Sequence, residues 1–305
     1  MSHDESIDLG TPVELVNTGS IHKQIEPGIA LCLSGGGYRA MLFHVGVLWR
    51  LYETGILSKI TRISSVSGGS ITAAVLGLKW STLSFSSNTI QDEFIPEVVN
   101  PIRKLAGKTI DANSILGGIF LPGTISDRIQ TAFRKHLFED KTLQNLPDNP
   151  RFVINATNVQ SGSLWRFMKP YMRDWQVGEV KNPTVSLAEA VTASSAFPPV
   201  LSPMILNLDE ATFTPATGEN LQHTPYTTRV VLSDGGVYDN LGLETVYKRY
   251  QTILVSDAGG KMKAEPKPRE DWGRHAYRVL NIIDNQRFCS MIARFISRNS
   301  IGYFS

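Results

Sequence analysis

"ITRISSVSGGS", residues 60–70, runs from β-branched apolar residues into four serines and two adjacent glycines. It reads either as a flexible surface loop or as a tight turn that ends a strand and fixes one serine ahead of a helix. Its neighbours favour the turn: "KITRISSV" (59–66) has the composition of a strand, and "SITAAVLGLKW" (70–80) reads as a helix. A nucleophile elbow has this grammar, with a serine at the tip and small residues two places to either side so that backbones can crowd together. Centred on Ser67, the flanks are Ser65 and Gly69, and Ser65 departs from the G-x-S-x-G pattern. Serine is still small, and Gly68 and Gly69 free the turn. Ser64, Ser65 and Ser70 are less well placed for the tip.

Working upstream, "GIALCLS" (28–34) is a short apolar run that ends in Gly35, Gly36 and Gly37. "YRAMLFHVGVLWRLYETG" (38–55) follows, with Met41, Val45, Leu48, Leu51 and Tyr52 at helical spacing and Gly55 as a stop. The order is βαβα, which favours a parallel sheet with helices packed on it. The expected fold class is therefore α/β, a single domain over residues 28–305 with a mainly parallel central sheet flanked by helices. Residues 1–27 read as an N-terminal extension.

Downstream, residues 81–150 read as a helical or lid insertion. Within it "ILGGIFLPGTI" (115–125) is apolar but broken by glycine and proline, so it is either a surface-seeking lid or a buried connection. "RFVINATNV" and "LWRFM" (151–168) form a hairpin pattern, and "SLAEAVTASSAF" (186–197) reads as a short helix closed by Pro198 and Pro199. "TRVVLSDGGVYDNLGLE" (228–244) and "QTILVSDAGG" (251–260) each read as a strand running into a glycine turn, and the late "AYRVLNIIDNQRFCSMIARFISRN" reads as helix.

The 30 basic and 28 acidic residues of this 305-residue chain give +2, too near neutral to point to nucleic acid. Residues 261–305 hold nine Lys/Arg against four acids, or +5, which suits either an anionic membrane surface or a solvated helix face. The opening "MSHDESIDLG" lacks the basic start and apolar core of a secretory signal, and no run of about 18 apolar residues appears. Cys32 and Cys289 are too few and too far apart for a disulfide framework or a zinc site. A cytoplasmic chain is the simplest expectation, with peripheral contact at a membrane. The sequence carries no signal of oligomeric state.

Three glycine turns at strand ends can converge on one ligand site. Gly35, Gly36 and Gly37, followed by Tyr38 and Arg39, would bring bare backbone and a helix start to an anion or a developing oxyanion. A phosphate loop needs the same physics, although the P-loop ending and the dinucleotide spacing are both missing. Asp234-Gly235-Gly236 places an acid at a strand end, or else forms an Asx turn. Asp257 in "SDAGG" is a rival of the same form, and Asp239 has the position of a cap. His44, beside Phe43, reads better as a packed core histidine than as a catalytic base.

Taken together, "SGGGYRAMLFHVGVL", "ISSVSGGS" and "LSDGGVYDNLG" resemble the patatin-like phospholipase family over roughly residues 28–258, and "VTASSAFPPV" (191–200) resembles that family's small-residue and proline stretch. The resemblance implies Ser67 as nucleophile, Asp234 as its dyad partner, and Gly35, Gly36, Gly37 and Arg39 as the oxyanion site. It implies a hydrolase of phospholipid or lysophospholipid esters with transient membrane contact, and neither a metal nor a cofactor. A carboxylesterase for soluble esters and a non-catalytic phosphate or nucleotide sensor are the competing expectations. Arg39 would orient the glycine loop, contact a lipid phosphate, or pair with a nearby acid.

Overall fold

Ala30, Leu31, Cys32 and Leu33 are all fully buried, because the strand that carries them is covered on both faces. The computed structural model describes residues 25–107, 125–198 and 201–259, short pieces between 264 and 282, and the backbone of Ser300–Phe304. Its strands are β1 (Glu26–Leu33), β2 (Ile60–Val66), β3 (Arg151–Asn158), β4 (Ser163–Phe167), β5 (Tyr171–Asp174), β6 (Gly178–Lys181), β7 (Met204–Asn207), β8 (Phe213–Thr214), β9 (Arg229–Asp234), β10 (Tyr250–Ser256) and β11 (Ser300–Phe304). The helices are α1 (Gly37–Glu53), α2 (Gly68–Lys79), α3 (Asn100–Gly107), α4 (Ile125–Phe133), α5 (Leu187–Ser194) and the single turn α6 (Gly236–Asp239).

The strands form one sheet in the order β11-β10-β1-β2-β3-β4-β5-β6-β8, with β9 pairing both β3 and β7. From β11 to β3 every pairing is parallel, which is the central sheet that the alternation of strands and helices predicts. Beyond β3 the sheet continues with antiparallel hairpins. Along β1, Leu31 and Leu33 join the larger core beneath α1 and α2, while Ala30 and Cys32 join a smaller one with Leu241, Leu243 and Val246. This two-residue alternation within a wholly apolar run is what a doubly covered strand requires.

The described helical segments of 81–150, which besides α3 and α4 include π-helical stretches at Ile90–Val99 and Arg134–Phe138, belong to the larger core, to which they add Phe94, Val98, Ile102, Leu105, Ile129, Phe133 and Phe138. Residues 115–124 of the broken apolar stretch lie outside the described residues, as do 1–24 and most of the late helical pattern. Ser186 starts α5 with a capping box: its hydroxyl accepts from Glu189 N at 3.1 Å, and Glu189 Oε2 accepts from Ser186 N at 3.0 Å. Among the described late basic residues, Arg274 faces Asp271 at 3.9 Å and Arg278 pairs with Glu265 at 2.7 Å.

The direction of β9 decides how the site is assembled. It runs antiparallel to β3, with Asp234 opposite Ala156 and Leu232 opposite Asn158, and so is not a further member of the parallel set. β4 occupies one edge of β3 along Ile154–Asn158. The other edge is shared, β2 taking Arg151–Asn155 and β9 taking Ala156–Asn158. Two strands therefore run toward each other along one edge and stop head to head, one ending at Val66 and the other at Asp234.

Candidate active site

Ser67 follows Val66 directly, at φ 50° and ψ −120°, in a region that a residue with a side chain seldom occupies. Backbone held there costs about 1–3 kcal/mol, a strain that clusters at functional turns. Ser67 stands at the N-cap of α2, yet its side chain makes no capping bond, so its hydroxyl is not engaged in the role serine usually plays there. Its backbone carbonyl instead accepts from Ser70 N at 2.8 Å and Ile71 N at 3.2 Å. The residue is buried but not sealed, 7% exposed.

The glycine loop lies directly against this elbow. Gly36 and Gly37 take φ 135° and 64°, and α1 begins at Gly37, so the loop delivers the unpaired N–H groups of a 17-residue helix. A Cβ on Gly68 would collide with the Gly37 carbonyl oxygen, so this contact requires glycine. A Cβ on Gly35 would lie 3.3 Å from Ser67 Cβ. Arg39 is exposed on the first turn of α1 and carries no ion pair among the described residues.

Asp234, 2% exposed, sits at the end of β9. Its Oδ1 accepts from Gly236 N at 2.7 Å, the Asx-turn geometry, while its carbonyl oxygen accepts from Thr157 Oγ1 at 2.7 Å. The rival Asp257 directly follows β10, which is separated from β2 by β1, about 10 Å at ordinary strand spacing. Its Oδ1 accepts from Gly259 N at 2.7 Å. Asp239 takes the role of a local cap, accepting from Leu241 N at 3.1 Å and Glu244 N at 2.7 Å. Burial pushes its carboxyl up to about 6, against the pull of those backbone donors.

His44 is fully enclosed, with Nε2 2.9 Å from the Ser34 carbonyl oxygen and Nδ1 2.8 Å from Ser256 Oγ. A carbonyl only accepts, so Nε2 carries the proton and Nδ1 accepts from the Ser256 hydroxyl. Burial lowers its pKa to about 4, which keeps the ring neutral. It is a core histidine that braces the residue preceding the glycine loop.

Sequence marked Ser65 only as a departure from the elbow pattern, and it did not single out Asn240 or Ser194. Ser65 donates to Val153 O at 3.1 Å and accepts from Ser70 Oγ at 3.1 Å, so the departure from glycine is a satisfied buried hydroxyl. The Asn240 carbonyl oxygen accepts from Gly35 N at 3.0 Å, and its side chain lies where a Cβ on Gly35 or Gly236 would fall, between the two glycine turns. Ser194 ends α5 and accepts from Ser67 N at 2.9 Å. Asn240 lies inside the quoted "SDGGVYDN" and Ser194 inside "VTASSAF", but nothing in a lone sequence separates them from their polar neighbours.

A family model described as patatin-like phospholipase matches residues 31–247, which include every candidate site residue named above except Asp257. Among solved structures, human GIVD cytosolic phospholipase A2 is similar at 14% identity and TM-score 0.48, over 76% of this chain and 46% of that one. The same human enzyme in complex with methyl gamma-linolenyl fluorophosphonate inhibitor and terbium chloride gives 20% identity and TM-score 0.47, over 76% and 41%. VipD from Legionella pneumophila gives 17% and 0.36, over 77% and 50%. The chain thus spans half or less of the length of these structures.

Proposed function

The chain belongs to the patatin-like phospholipase family, and from that premise we propose that it is a lipid acyl hydrolase working through a Ser67–Asp234 dyad. The observation that carries this reading is the head-to-head meeting of β2 and β9 on one edge of β3. It brings a serine in a strained turn and a buried carboxylate to adjoining strand ends, with a glycine loop in backbone contact.

A serine hydroxyl is a weak nucleophile until a base takes its proton. In the proposed reaction Ser67 Oγ attacks the ester carbonyl carbon while the Asp234 carboxylate accepts the hydroxyl proton. Negative charge moves to the carbonyl oxygen, where the N–H groups of Gly36 and Gly37 and the start of α1 stabilise it, at about 3 kcal/mol for each well-aimed donor; the N–H of Gly35 is already given to the Asn240 carbonyl oxygen, so Gly35 serves by its close backbone approach. The tetrahedral species collapses, the carbon–oxygen bond to the alcohol or lysolipid breaks, and Asp234 returns the proton to the leaving oxygen. Water then attacks the acyl-Ser67 ester with Asp234 again as base, releasing a fatty acid and restoring the serine. A carboxylate is a weaker base than histidine, so oxyanion stabilisation carries much of the rate.

Phospholipid or lysophospholipid is the proposed substrate class, with transient contact at a membrane surface. Tyr38 and Leu42, 38% and 43% exposed, stand four residues apart on α1 just beyond the glycine loop, and Val237, 39% exposed, follows the Asp-Gly-Gly turn. Exposed apolar groups on both rims suit insertion among acyl chains, and Arg39 between them suits a lipid phosphate. Among the described residues no helix is long and apolar enough to cross a membrane.

The test pairs a chromogenic short-chain ester with anionic liposomes. The reading expects hydrolysis of both, lost by at least about a thousandfold in Ser67→Ala. Ester cleavage without activity on liposomes would make the protein a soluble carboxylesterase, and a folded protein inert to both would move it to the sensor class.

A further inference from the structure

The edge that β2 and β9 share has a seam, and one side chain fills it. Between the last residue of β2 and the last of β9, the carbonyl of Asn155 in β3 faces the gap and accepts from Ser194 Oγ at 2.6 Å. Ser194 Oγ in turn accepts the backbone N–H of Ser67 at 2.9 Å and lies 2.9 Å from Ser70 Oγ. The backbone leaving α5 holds the opposite strand end: Ser194 O accepts from Gly235 N at 3.2 Å, and Ala196 O accepts from Asp234 N at 2.9 Å. Ser194 is fully buried, as is Asn155.

β2 and β9 do not pair with each other. Their relative placement therefore rests on β3 and on the end of α5, which grips both. We infer that Ser194 is a positioning residue for the dyad. Its hydroxyl holds the Ser67 amide in the strained turn and its carbonyl holds the Asp234 turn, so the nucleophile stays within reach of its base. The elbow has no other N-cap bond from its own side chain to brace it, and a strained backbone persists only where its surroundings over-determine it. Misplacing a reacting group by a fraction of an ångström lowers the rate without altering how the substrate is held. The inference rests on the dyad reading, but it is carried by contacts which that reading did not need.

The test compares Ser194→Ala with Ser70→Ala in the full chain. Both remove a buried hydroxyl from the same network, but only the first releases the Ser67 amide. Positioning expects kcat for the chromogenic ester to fall on the order of 10- to 100-fold in Ser194→Ala with KM within about twofold, and by no more than about threefold in Ser70→Ala. It also expects faster deuterium exchange at the Ser67 amide in Ser194→Ala alone. Ser194→Cys, close in size and a weak donor and acceptor, should fall between parent and alanine and serves if the alanine variant fails to fold. Equal kcat losses in Ser194→Ala and Ser70→Ala, or unchanged exchange at Ser67, would overturn the inference. A parent without esterase activity would instead defeat the dyad reading, and the exchange measurement would still decide whether Ser194 holds the turn.

Discussion

The two halves of the sheet are built differently and contribute differently to the site. In the parallel half, the last four residues of β1 and nearly all of β2 are buried, and the ends of these strands carry the glycine loop and the serine elbow. In the antiparallel half, strands such as β5 and β6 alternate buried with partly exposed positions, as strands with one wetter face do. β9 belongs by direction to this second half, yet it delivers Asp234 to the end of β2. The lesson is that the site lies at a junction. The parallel half fixes the proposed nucleophile and the glycine loop together, and the antiparallel half brings Asp234 to them.

Damage to the two halves should therefore separate catalysis from stability. Away from Ser67 and Asp234 themselves, the largest loss of activity is expected from Gly68→Ala, whose new Cβ meets the Gly37 backbone and prises the elbow from the glycine loop. Ester hydrolysis should fall at least about a hundredfold with the protein still folded, and an active Gly68→Ala enzyme would break the picture of one rigid catalytic unit. Phe167→Ala, in buried β4, should instead cost about 3–5 kcal/mol in denaturant unfolding. The fraction that stays folded should keep kcat within a few fold, whereas a collapse of kcat in that fraction would tie the antiparallel half to the chemistry more closely than the seam alone does.

A smaller effect is expected from pH. His44, held at about 4 against an ordinary 6.5, binds its proton more weakly in the native state, so its contribution is full above about 6.5 and is lost as pH falls toward 4. Asp239, raised to about 6 from 3.8, has the opposite sign: the native state binds the extra proton, and stability is gained as pH falls through that window. The two offset each other in the parent. In Asp239→Asn the compensation disappears, and unfolding free energy should drop about 1 kcal/mol more between pH 7 and pH 5 than in the parent. Equal drops would mean that Asp239 is not held protonated by its burial.

The parallel half was legible because its signals are local. Unbroken apolar runs, glycine triplets and helical periodicity each lie within about twenty consecutive residues, and the α/β architecture follows from their order. The resemblance carried by the three glycine turns agrees with the family that matches residues 31–247. The direction of β9 was not legible, since "RVVLSD" reads the same whether it pairs parallel or antiparallel. The same holds for β11, five residues near the chain end that pair in register with β10. Ser194 and Asn240 escaped for a related reason: their roles come from contacts with residues 127 and 205 positions away in the chain, respectively Ser67 and Gly35. Ser65 looked like a flaw in a local pattern, and only its contact with Val153 O accounts for it.

In the proposed mechanism Ser67 works with Asp234 across the seam rather than with Asp257 across β1. The most direct test is the rate at which a fluorophosphonate probe labels the peptide holding Ser67, measured in the parent, Asp234→Asn and Asp257→Asn. The expected result is rapid labelling of that peptide in the parent and in Asp257→Asn, and labelling slowed at least about a hundredfold in Asp234→Asn. Labelling that survives in Asp234→Asn but is lost in a folded Asp257→Asn would contradict the claim.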